Sequence, residues 1–205
     1  MSDTAPTVRG VQPIHETGRH ELFVIRHGAT EWSTNGRHTG RTDIPLLPEG
    51  EDQARAAGAL LHGRPFGLVL CSPLGRARET CDLAGYADQA ELTDDLLEWD
   101  YGDYEGVTTK TIRETVPGWT VWDSPMPGGE TIDQVSARVD RVIARVRDVD
   151  ADCAVFAHGH VLRVLGARWL EAPVSFGGRL YLTTGSLSVL GFEREVRVIR
   201  LWNET

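Results

Sequence analysis

The chain has 205 residues, 40% hydrophobic and 25% charged, the composition and size of one compact α/β domain with or without an elaborated insert. Its formal net charge is -9, from Asp+Glu 30 against Lys+Arg 21, which argues against nucleic acid or an anionic membrane as partner, since both reward basic faces. No apolar stretch approaches the roughly 18 to 20 residues of a membrane span. Residues 1–20 form a polar tail without the apolar core of a secretory signal, so a cytoplasmic location is the expectation.

Glu21–Arg26 is a short apolar run that stops at His27-Gly28, the pattern of a buried strand followed by a loop. Pro48–His62 opens on proline, runs through alanines and stops at Gly63, which predicts a helix. Leu68–Cys71 reads as a second strand ending at Ser72-Pro73, with a helix following to about Leu83. Residues 98–129, rich in Gly, Pro, Trp and Tyr, read as an irregular insert that covers the site, too irregular for core and too aromatic for disorder. Ile132, Val135, Val139, Val142, Ile143, Val146 and Val149 mark one face of a long helix. Cys153–Ala157 is a third buried strand running into His158-Gly159, with a helix over Val161–Leu170. Leu187–Phe192 and Val196–Trp202 predict a C-terminal hairpin that gives the sheet an antiparallel edge. The expected fold is therefore a mostly parallel sheet with helices on both faces, residues 21–205 forming its one domain.

In such sheets ligands bind beyond the C-terminal ends of the strands. Three polar clusters fall there: Arg26-His27-Gly28, Ser72-Pro73 with Arg76, and His158-Gly159-His160. Other readings fail one by one. His158 and His160 have no third Cys or His nearby to complete a metal site. A thiol phosphatase loop on Cys71 needs arginine where the chain has Ala77, and no GxxxxGK[ST] loop occurs. The cysteines, Cys71, Cys81 and Cys153, lack CxxC spacing and read as buried free thiols of a reducing compartment. Lys110 is the only lysine, so basic recognition falls to arginine, whose planar fork suits phosphate oxygens.

Together the clusters suggest an anion site with a nucleophile. Arg26 and Arg76 would hold two edges of a phosphoryl group, imidazole is a competent nucleophile near neutral pH, and Glu98 could protonate a leaving alkoxide if partial burial raises its pKa. The ordered set Arg26-His27-Gly28-x-Thr30-Glu31-Trp32, Thr39-Gly40, Ser72-Pro73-Leu74-x-Arg76-Ala77-x-x-Thr80 and His158-Gly159-His160 resembles the histidine phosphatase superfamily, of phosphoglycerate mutase-like fold. The resemblance implies a transiently phosphorylated His27, a phosphate pocket of Arg26, Arg76 and His158, and Glu98 as proton donor. It implies substrate contacts at Thr30, Ser33, Thr39, Gly40, Tyr101 and Gly159, with no metal and no cofactor. Ser33 stands where many members have asparagine, a shorter donor for that contact.

The superfamily holds mutases, phosphatases and non-catalytic phosphate-binding modules. Mutases carry a lysine shortly after the Tyr-Gly segment and then an arginine pair. Here Thr109 takes the lysine's place, Lys110 comes one position late, and Arg113 stands alone. His160 replaces the asparagine that mutases tend to have. An acidic, tryptophan-rich lid should release monophosphate, so a phosphatase is preferred over a cofactor-dependent mutase. The 98–106 segment resembles bacterial acid phosphatases and sedoheptulose bisphosphatase-like enzymes, which points to small phosphomonoesters such as phosphosugars as partners. The sequence leaves a homodimer open.

Overall fold

A computed structural model describes residues 20–205; all of the predicted polar tail except His20 lies outside the described residues. A six-stranded sheet runs in the order β3-β2-β4-β1-β5-β6. Its strands are β1 (Leu22–Arg26), β2 (Leu68–Cys71), β3 (Ala90–Leu92), β4 (Cys153–Ala157), β5 (Leu187–Glu193) and β6 (Val196–Glu204). The first four are mutually parallel, and the β5–β6 hairpin adds two antiparallel strands beside β1. The mixed sheet with its antiparallel C-terminal edge is the fold expected from the sequence.

Period-two alternation along the central strands feeds two separate cores. Leu22, Val24, Leu70 and Val155 face α5 (Ile132–Arg147) and α6 (Gly159–Trp169). Phe23, Ile25, Val69, Ala154 and Phe156 face the side of α2 (Pro48–Leu61) and α3 (Gly75–Leu83). The valine stripe of α5 is buried from Val135 to Val146, and the helix starts with a capping box between Thr131 and Gln134. Cys71, Cys81 and Cys153 are buried and free, as read from their spacing.

Two short elements escaped the sequence: β3, and α1 (Glu31–Asn35), a single capped turn after the first strand. The 98–129 segment holds a further helix, α4 (Thr109–Thr115), and is not excluded from the core as expected. Its Trp99, Tyr101, Ile112, Trp119 and Val121 are all buried in the α5–α6 core, so its aromatic residues anchor it rather than decorate a surface lid. Among the described residues no helix is long and apolar enough to cross a membrane.

Candidate active site

Register brings the polar clusters together. Arg26 of β1 pairs with Ala157 of β4, so the residues just past each strand, His27 and His158, become neighbours with ring centroids 5.1 Å apart. His27 N–H donates to the Ala157 carbonyl and Ser72 N–H to the Phe156 carbonyl, which carries the sheet ladder one residue into the site. Close packing of backbone holds this corner shut: a Cβ on Gly28 would stand 2.0 Å from the Gly50 carbonyl oxygen of α2.

His27 is buried, and its Nδ1 lies 2.7 Å from the Gly28 carbonyl oxygen. A carbonyl only accepts, so the proton sits on Nδ1 and Nε2 keeps its lone pair. Burial, then the positive charges of Arg76 and Arg26, push the imidazole well below the usual histidine range, so it is neutral near pH 7. A neutral ring with a free Nε2 is the nucleophilic form.

The cation beside it is Arg26. Its Nη1 donates to the Leu182 carbonyl, while Nε is buried without a partner. A buried unpaired N–H of a guanidinium costs free energy until an acceptor arrives, which makes this atom an anion-binding group in waiting. Gly159 leaves room for it, since a Cβ there would meet the Arg26 Cζ at 3.2 Å.

Arg76 and His158, the other two members of the implied phosphate pocket, are bonded to protein groups in the structure. Arg76 is fully buried; Nε donates to His158 Nδ1 at 3.1 Å, Nη1 to the Thr42 carbonyl, and Nη2 to the carbonyls of Thr39 and Gly40. His158 in turn donates from Nε2 to Ser72 Oγ at 2.7 Å. Both side chains therefore spend their polar atoms on protein, and they form a layer behind His27. Burial, then Arg76, holds His158 well below the usual histidine value, so it too is neutral.

The Glu98 carboxylate reaches the first N–H groups of α6 from the segment that follows β3. Its Oε1 accepts from the N–H groups of Trp99 (2.9 Å) and Val161 (2.8 Å), and Oε2 from that of His160 (2.9 Å). The helix terminus thus fixes the carboxylate where its dipole favours a negative charge. Of the neighbouring acids, Asp95 pairs with Arg141, and Asp100 accepts from Gly102 N–H.

Arg26, His27, Glu98, Tyr101 and Gly159 line one cavity of about 270 Å³, together with Ser33, Thr39, His38, Thr109, His160 and Arg163. Thr30 is not on that wall; its hydroxyl caps α1 by accepting from Ser33 N–H. Ser33 Oγ donates to the Thr30 carbonyl, so the hydroxyl offered in place of asparagine is spent on the same cap. Gly40 also lies off the wall, its N–H held by Glu105 and its carbonyl by Arg76. At the expected mutase position Thr109 faces the cavity while Lys110 is exposed.

Sequence reasoning missed four contributors. His38, read only as part of the His38-Thr39-Gly40 run, and Arg163, outside any motif, both line the cavity. Glu105 accepts from the N–H groups of Gly40 and Thr42 and so holds the loop that ends on Arg76. Arg138 of α5 grips both oxygens of Glu130 and donates to the carbonyls of Asp95 and Leu97, which fixes the approach to Glu98. His160 enters the sequence reading as a metal ligand that fails for want of partners and as the residue in place of the mutases' asparagine, with no role of its own; among the described residues no group of three or more His, Cys, Asp or Glu is placed to hold a metal ion.

Comparison with known proteins gives the family. Residues 22–205 match the family model described as the histidine phosphatase superfamily (branch 1). The chain is 42% identical over 182 residues to an acid phosphatase of Mycobacterium tuberculosis, covering 87% of this chain and 89% of that one. It is 36% identical over 184 residues to sedoheptulose 1,7-bisphosphatase of Saccharomyces cerevisiae, covering 74% and 68%. A solved Mycobacterium tuberculosis structure superposes with a TM-score of 0.87 at 40% identity, covering 91% of this chain and 98% of that one. The chain belongs to the histidine phosphatase superfamily and is a phosphatase of its first branch.

Proposed function

We propose that the chain hydrolyses small phosphomonoesters, phosphosugars or similar metabolites, without a metal ion and through a phosphohistidine at His27. The observation that carries the reading is the pairing of a neutral His27, its Nε2 free, with the unpartnered Nε of Arg26 on one cavity wall. In the first step Nε2 attacks phosphorus, the Gly28 carbonyl steadies the growing charge through Nδ1–H, and Arg26 takes the phosphoryl oxygens. The leaving oxygen receives its proton from Glu98, which enters the step as the carboxylic acid and leaves it as the carboxylate held by the N–H groups of His160 and Val161. Water then displaces histidine from phosphorus, with Glu98 as base, and inorganic phosphate leaves. Arginine charge supplies what a metal clamp supplies elsewhere. Relatives named for an acid phosphatase and a sugar bisphosphatase support the substrate class.

The test is a panel of phosphosugars and phosphoglycerates, assayed with excess EDTA for both free phosphate and isomerised product. Linear phosphate release without a bisphosphate primer is expected. Phosphoglycerate interconversion much faster than phosphate release would give the mutase reading instead. Loss of activity on chelation, restored by a divalent cation, would overturn metal independence.

A further inference from the structure

His160 is the second residue of α6 and reaches the same cavity as His27, yet the chemistry above assigns it nothing. Its ring sits among Trp122, Tyr101 and His38, at centroid distances of 5.2, 5.8 and 6.0 Å. Its Nδ1 lies 2.6 Å from the Tyr101 hydroxyl. Two arrangements of protons are open to that contact. Were Nδ1–H the donor, the Tyr101 O–H proton would be buried without an acceptor, because among the described residues that hydroxyl has no second partner. An unsatisfied O–H on the buried Tyr101 is costly, whereas His160 is only half-buried and its Nε2–H can meet water in the cavity, so the phenol donates and Nδ1 accepts.

The charge states agree. Burial, then Glu98 and Glu105, keep the Tyr101 phenol protonated. Burial, then Arg163, His38 and Arg26, keep His160 neutral. A neutral imidazole that accepts at Nδ1 must carry its proton on Nε2, and among the described residues that atom has no hydrogen-bond partner. The cavity therefore presents a fixed, uncharged N–H beyond the phosphoryl site, on a wall that also carries Thr39 and Thr109, whose hydroxyls bond the Arg37 carbonyl and His38 Nε2.

We propose that His160 is a specificity-determining residue, whose Nε2–H donates to a hydroxyl oxygen of the leaving group and so selects polyol phosphates over phosphate esters of plain hydrocarbons. Tyr101 is its positioning residue, acting through the tautomer. This rests on the phosphatase reading and deepens it. A donor paired to a substrate hydroxyl rejects the analogue that lacks it, because the site's polar atom is then left unpaired. A neutral donor makes that selection on hydrogen bonding, independent of the leaving group's charge.

The experiment compares kcat/KM for glycerol 3-phosphate and propyl phosphate, which differ only in hydroxyls. Wild type is expected to favour glycerol 3-phosphate by about tenfold, the scale of one neutral hydrogen bond. His160→Phe should bring the ratio close to one, His160→Gln should restore part of it through its amide N–H, and Tyr101→Phe should lower it. Imidazole 1H–15N spectra should show His160 with its proton on Nε2 in wild type and a tautomer mixture in Tyr101→Phe, a signature that loss of packing alone does not give. No preference in wild type, a ratio unmoved by His160→Phe, or a wild-type proton on Nδ1 would overturn the role of His160 and leave the phosphatase reading intact. No phosphate release from either ester or from the phosphosugars would overturn both.

Discussion

Arg76 Nε donates to His158 Nδ1 across 3.1 Å, and that bond decides which proton His158 carries. Arginine only donates, so Nδ1 must accept, and Nε2–H is left to donate to Ser72 Oγ. The relay ties the ends of β2 and β4 to α3 directly behind the nucleophile. Ser72→Ala leaves a buried N–H without its acceptor and should cost about 1–3 kcal/mol in urea unfolding. Arg76→Lys removes the planar fork that reaches His158 and three loop carbonyls at once, so it should lower both stability and kcat. A lysine variant equal to wild type in both measurements would contradict the relay.

Acid should destabilise the fold through its buried histidines. His27, His38, His158 and His160 are all held below the usual histidine value, with burial the first cause for each. Their folded-state values lie under the unfolded one, so the unfolded chain binds more protons as pH falls. Stability is thus full above about pH 6.5 and is lost on the way down. For His38, lowered to about 4, the loss runs from about pH 6.5 to 4 and reaches about 3 kcal/mol. Urea midpoints measured across that window should fall steadily, and His38→Phe should flatten part of the slope. Midpoints independent of pH there would refute the assignment.

The legibility of this chain follows burial. Apolar runs such as LFVIR and CAVFA announce strands because both faces of a central parallel sheet are covered, and the valines of α5 announce a helix by their spacing. Strand β3 has three residues, two of them exposed, and no pattern can form over that length. The 98–129 segment misled because its backbone is irregular while its Trp99 and Trp119 are core residues, and irregular backbone hides burial from periodicity. In the site, Arg26 and His27 stand out at a strand end and Glu98 at the opening of a segment in a known order, and the structure brings all three to one cavity. Arg138 and Arg163 act from positions with no local signature, and Glu105, though inside the 98–106 segment, acts across a long sequence separation on Gly40 and Thr42. That Arg76 and His158 spend their polar atoms on protein is a fact of geometry that no motif states.

Arg138 offers a test of how the Glu98 segment is held. The side chain is nearly buried and forms a two-pronged pair with Glu130 while donating to the Asp95 and Leu97 carbonyls. Arg138→Met leaves the Glu130 carboxylate unpaired and should cost about 3–5 kcal/mol. It should also reduce kcat more than it raises KM, because Glu98 loses its placement rather than the cavity its charge. A variant of wild-type stability would show that the pair is ornamental.

Gly28→Ala tests the packed corner beneath the nucleophile. The added methyl would meet backbone, not a flexible side chain, at 2.0 Å from the Gly50 oxygen. The loop carrying His27 must move, so a loss of at least about 1–3 kcal/mol is expected with a fall in activity. Thermal unfolding and phosphate release on one preparation measure both.

The covalent step tests the account most directly. Mixing enzyme with 32P-labelled phosphosugar for milliseconds, quenching in alkali and mapping the labelled peptide should place an acid-labile phosphate on Nε2 of His27. His27→Ala, folded by circular dichroism, should show neither label nor turnover. Label on another residue, or full turnover by His27→Ala, would contradict the account.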